Sequence, residues 1–250
     1  GQISDLEATR VRLTLDDLMV SSPSGALSLT TPSTARWVDE TLHLDSLRLA
    51  GSAGEMDVTG VASRRGPIHL KYRLTRLALP YVASFLDIRA ETHGDLSGYL
   101  DVSGVLAAPI IGGGIGVEGL RLGTSEVGDL QARFSSADGM AHLEELELRL
   151  PRGGTVTGTA SFPVAVGEQT TARSVHAEVH VDSVSLDTAQ GLPPEVVVTM
   201  AGRVSAHGKD WDGASLDVIL HADQLSVATA DDTGRRADPV MVHWQRGDLR

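Results

Sequence analysis

Gly98-Tyr99-Leu100-Asp101-Val102-Ser103-Gly104 is the stretch whose reading decides the fold. At period two, Gly98, Leu100, Val102 and Gly104 fall on one side and Tyr99, Asp101 and Ser103 on the other. That is a strand with one apolar face and one wet face. The phrase glycine–x–apolar–x–apolar–x–glycine returns at Gly54-Glu55-Met56-Asp57-Val58-Thr59-Gly60 and at Gly202-Arg203-Val204-Ser205-Ala206-His207-Gly208. A smaller-residue variant follows at Gly154-Thr155-Val156-Thr157-Gly158. A phrase used four times is a structural unit.

The flanking sequence repeats with it. Leu42-His43-Leu44-Asp45-Ser46-Leu47-Arg48-Leu49 aligns with Ala141-His142-Leu143-Glu144-Glu145-Leu146-Glu147-Leu148, 99 residues on. Ile68-His69-Leu70 through Leu79 aligns with Val175-His176-Ala177 through Leu186, 107 residues on, and Gly98–Gly104 with Gly202–Gly208, 104 on. Leu18 with Gly25 likewise pairs with Leu120 and Gly128. The chain therefore divides into strand-rich units of about a hundred residues, spanning 11–113, 114–212 and a partial 213–250. The apolar parity switch at Asp45-Ser46 predicts a bulge or tight bend. Pro80 to Ala90 breaks the alternation: Tyr81/Phe85 and Val82/Leu86 stand at i, i+4 behind a proline. This predicts a short helix near 80–90, lying across an end or edge of a sheet.

Composition narrows the classes. Aromatics are 4% of 250 residues, which points to thin aliphatic layers instead of one thick core. A net charge of −12 argues against nucleic acid as a partner and against docking on anionic headgroups. Cysteine is absent, which removes disulfides and thiolate metal sites. Asparagine is absent and lysine occurs only at Lys71 and Lys209, a bias that points to a GC-rich genome and a bacterium. No basic-then-apolar leader opens the chain, and the least charged run, Val102 to Val117, is short of the ~20 apolar residues of a spanning helix. The ends read as cuts from something longer.

Chemical motifs do not hold. Gly114-Ile115-Gly116-Val117-Glu118-Gly119 has dinucleotide-binding spacing, but Leu120 and Leu122 continue at period two where a helix should open, so it reads as a glycine-rich bend. His176-Ala177-Glu178-Val179-His180 places its polar residues ~7 Å apart on one strand face, too far to share one ion, and reads as a solvated face. Arg246-Gly247-Asp248 is too short to carry a claim. No nucleophile elbow or isolated carboxylate pair is visible. The expectation is a non-enzyme with no catalytic residues, no metal and no cofactor.

One-face-apolar strands over this length can pack as a sandwich, wind as a closed solenoid, or curl as an open trough. The order of phrases resembles one family. Leu96-Ser97-Gly98 through Gly104, Pro109, Gly119-Leu120-Arg121-Leu122-Gly123, Val127-Gly128-Asp129-Leu130-Gln131-Ala132, the strand at Leu143–Leu148 and Gly154–Gly158 are similar to the recurring unit of TamB and related AsmA-like proteins. The resemblance covers most of the chain, best from Leu42 to Ala160. It implies an all-β, elongated, curled, mostly antiparallel sheet, taco-like, with an apolar groove. It implies a segment of an inner-membrane-anchored protein in the periplasm of a diderm bacterium, with the anchor outside this segment. Phospholipid acyl chains would be the cargo, carried toward the outer membrane in support of its biogenesis. Alternatives are an assembly factor working with an outer-membrane β-barrel partner, or a structural or adhesive β-solenoid with a closed core. On the trough reading, the lipid-lining residues are Leu42, Leu44, Met56, Val58, Leu70, Tyr72, Leu74, Leu100, Val102, Leu143, Val156, Val179, Val181 and Val204. About two dozen strands at ~4.8 Å spacing are expected.

Overall fold

A computed structural model describes residues 10–85, 90–163, 174–186, 197–208, 217–228, 233–236, 239–245 and 248–249. The fold is all-β, and every strand pair with a described register is antiparallel. The chain divides into two compact units, Gly1–Glu118 with Ser135–Asp138, and Gly119–Phe134 with Gly139–Arg250. Among the described residues neither closes into a barrel.

The first unit opens with four short strands, β1 (Val11–Leu15), β2 (Met19–Ser22), β3 (Gly25–Leu29) and β4 (Ser33–Val38). Three long ones follow: β5 (Thr41–Gly51), β6 (Gly54–Ser63) and β7 (Pro67–Ala78). After helix α1 (Leu79–Phe85) come β8 (Thr92–Val105) and β9 (Ala108–Leu122). β5 pairs with β4 near its start and with β3 near its end, so β3 and β4 together flank one long strand. They are separated at Pro32, whose missing N–H cannot contribute to a ladder. From β5 to β8 the chain is a plain meander.

The second unit continues from β10 (Ser125–Ala137) through β11 (Met140–Arg149), β12 (Thr155–Pro163), β13 (Val175–Leu186), β14 (Val197–Gly208) and β15 (Asp217–Ala228). β15 pairs along one half with β16 (Thr233–Arg236) and along the other with β17 (Val240–Gln245), which meets β18 (Asp248–Leu249). The described strands number eighteen. Three of them are long: β8, β9 and β10 run 14, 15 and 13 residues, more than twice the usual strand.

The parity switch at Asp45-Ser46 is a bulge. The β5–β6 register shifts between Leu44 and Leu47, which keeps Leu42, Leu44, Leu47 and Leu49 on one face. The β11–β12 register shifts between Leu143 and Leu146, the positions 99 residues on. A second pair of shifts falls between Leu74 and Leu77 in β7–β8 and between Val181 and Val184 in β13–β14, 107 residues apart. The two units therefore share irregularities as well as strands.

The glycine cluster is not a bend. β9 runs through Gly112–Gly116 as continuous strand. A Cβ on Gly113 or on Gly98 would run into the neighbouring backbone, at Tyr99 and Gly114 respectively. Glycine here admits a close approach of β8 and β9 and does not turn the chain.

The helix expected near 80–90 is described from Leu79 to Phe85; residues 86–89, with Leu86, lie outside the described residues. Its Tyr81 and Ala83 are buried, and Tyr81 Oη donates a 3.2 Å hydrogen bond to the carbonyl of Val20 in β2. Leu27, Leu49, Ala53, Leu77 and Leu96 are also buried in this unit. Each buried leucine contributes roughly 1.5–3 kcal/mol, so these residues anchor the unit.

Candidate functional site

Antiparallel register turns the alternation of single strands into rows across the sheet. In the first unit one row runs Leu13, Ala35, Leu44, Gly60, Leu70, Val102 over β1, β4, β5, β6, β7 and β8. The next two run Leu47, Val58, Tyr72, Leu100 and Leu49, Met56, Leu74, Gly98. No polar side chain other than the Tyr72 hydroxyl interrupts them.

The second unit builds the same pattern independently. Its rows are Leu143, Ala160, Ala177, Ala206, Val218, Trp244; then Leu146, Gly158, Val179, Val204, Leu220, Val242; then Leu148, Val156, Val181, Gly202, Ala222, Val240. The opposite face carries Ser161, His176, His207, Asp217 and Thr157, His180, Arg203, His221 in the corresponding rows.

All fourteen residues expected to line a groove fall on these apolar faces, nine in the first unit and five in the second. Val58 alone among them is buried, at 7% exposure; the other thirteen are half-buried. A sealed core would bury most such aliphatic side chains fully. Sequence reasoning missed Ala35, Leu47, Val218, Leu220, Val242 and Trp244. Val218 and Leu220 were legible in the alternation of Asp217–Ala222, whereas Ala35 needed its register partner Leu44 to reveal its face.

The polar face has relief of its own. In the first unit a concavity of about 720 Å³ lies among Arg48, Asp57, Lys71, Arg73, Tyr99 and Asp101. Arg48 pairs with Asp57 at 3.1 Å, and Tyr99, facing Arg73 in register, is 53% exposed. Asp101 sits opposite Lys71, and its Oδ1 is buried with no hydrogen-bond partner among the described residues. In the second unit a smaller hollow of about 350 Å³ is lined by Glu144, Glu145, Glu147, Glu178 and His180. Alternating charge and hydroxyl groups explain the wetness of this face, and the ion pairs here are solvent-exposed and individually weak.

Two further features bear on membranes and metals. No helix among the described residues is long and apolar enough to cross a membrane. Among the same residues no group of three His, Cys, Asp or Glu side chains converges on a metal position. No protein-family model, curated protein or solved structure matches this chain.

Proposed function

We propose that the apolar face of each unit is a groove for phospholipid acyl chains, and that the chain is one stretch of a periplasmic bridge between the inner and outer membranes. The single observation that carries this reading is an apolar surface six strands wide, uninterrupted by charge, on which most of the side chains are only half-buried. Each methylene moved from water to such a surface gains ~0.8 kcal/mol, so an acyl chain prefers the groove to water. It gains little relative to a bilayer, since both are apolar, and near-neutral exchange is what lateral transfer requires. Leu, Val, Ala and Gly supply a surface without fixed polar anchors, so headgroup selection is not asked of it. The resemblance to TamB and AsmA-like repeats supports the membrane-bridging context.

A photoactivatable residue placed at Leu100 and, separately, at Asp101 tests the assignment. The two are neighbours in sequence and lie on opposite faces of β8. Phospholipid adducts are expected at position 100 and not at position 101. Adducts at 101 alone would overturn it.

A further inference from the structure

Five of the nine histidines, His176, His180, His207, His221 and His243, stand on the polar face of β13, β14, β15 and β17. Two of them meet. His176 and His207 are register partners 31 residues apart, with ring centroids 4.5 Å apart and Nδ1 atoms 3.0 Å apart. One ring must donate its Nδ1 proton to the other's lone pair, so the contact holds only while at least one ring is neutral. In the same row lie Ser161 on one side and Asp217 on the other, and Asp217 is bound by His243 Nε2.

A pair of imidazole nitrogens at this separation is also a chelate. Two nitrogens 3.0 Å apart, each about 2.0–2.1 Å from a metal ion, subtend about 94° there, against about 109° for a tetrahedral site. The near-right angle matches adjacent positions of a tetragonal complex, the preference of Cu(II) and Ni(II). Copper(II) also stands at the top of the affinity order for nitrogen ligands. We propose that His176 and His207 form a two-histidine site for divalent copper or nickel on the polar face of the second unit. The shared proton moves to Nε2 of the donating ring, a small rotation of the exposed rings turns both Nδ1 lone pairs to the ion, and water fills the remaining positions. The His-x-Glu-x-His run does not build this site: Glu178 and His180, two and four residues along the strand from His176, engage each other at 3.4 Å.

The test uses the full chain titrated with copper(II) chloride and, separately, nickel(II) chloride in a non-chelating buffer. Calorimetry reads affinity, and electron paramagnetic resonance reads the copper ligands. The expected result is one tight equivalent of copper with hyperfine structure from two imidazole nitrogens. H176Q and H207Q should each weaken it roughly tenfold or more, while H180Q leaves it unchanged. Far-UV circular dichroism verifies that the variants keep the sheet. Copper bound equally well by wild type, H176Q and H207Q would overturn the site, and so would the absence of any tight equivalent.

Discussion

Arg76 and Ser183, 107 residues apart, hold the same left-handed backbone, with φ of 46° and 53°, inside the equivalent bulges of β7 and β13. Each places its carbonyl oxygen where a Cβ on a glycine would have to go, Gly54 for Arg76 and Gly154 for Ser183. The repeat is thus maintained at the level of backbone conformation, although arginine and serine share no side-chain chemistry.

This pairing predicts substitutions of opposite sign. Gly54 and Gly154 have φ of +117° and +89°, so Gly54→Ala and Gly154→Ala add both strain and a collision. Each should cost about 1–3 kcal/mol in urea denaturation. Arg76→Gly and Ser183→Gly relieve a left-handed residue worth about 1–2 kcal/mol and add about 0.5–1 kcal/mol of unfolded-state entropy. A small net gain of roughly 0.5 kcal/mol is expected.

Burial varies along the apolar face that Leu49 and Leu70 share. Leu49 is 1% exposed, and Leu49→Ala should cost about 2–5 kcal/mol. Leu70 is half-buried on the open face, and Leu70→Ala should cost about 1 kcal/mol, since less apolar area is lost and no sealed cavity forms. Equal losses in thermal denaturation would mean that the face is packed shut at Leu70 as it is at Leu49, against the groove reading.

Charge on the apolar face should expel lipid. Val102→Glu places a carboxylate in the row of Leu44 and Leu70, whereas Ser103→Glu adds the same charge on the other face. Phospholipid recovered with the purified chain, measured by mass spectrometry, should fall roughly tenfold for the first and hold steady for the second.

Alkaline pH should loosen α1. Burial pushes the Tyr81 phenol above its ordinary value. The folded chain then keeps a proton that the unfolded chain releases near pH 10, so stability is full below that and declines as pH rises further. Tyr81→Phe should flatten the decline above pH 10 in thermal melts. At neutral pH it should cost about 1 kcal/mol for the lost bond to the Val20 carbonyl.

Much of this fold was legible before any tertiary contact was known. Alternation at period two assigned Leu100, Val102, Val179 and Val181 to one face because a strand's side chains alternate by local geometry alone. The i, i+4 pairs after Pro80 marked α1, and the parity switch at Asp45-Ser46 marked a bulge, again from neighbours in sequence. The long-range repeat fixed which strands are equivalent. What the residues could not specify locally was the register. Hydrogen-bond ladders decide that Ala35 faces Leu44 and that β3 and β4 share β5. They also decide that Gly113 needs its missing side chain for close strand approach and not for a turn. The meeting of His176 with His207 is the plainest case. Each histidine alone reads as a solvated polar residue, and only the antiparallel pairing of β13 with β14 makes them neighbours, because cross-strand partners are set by the whole ladder and its bulges.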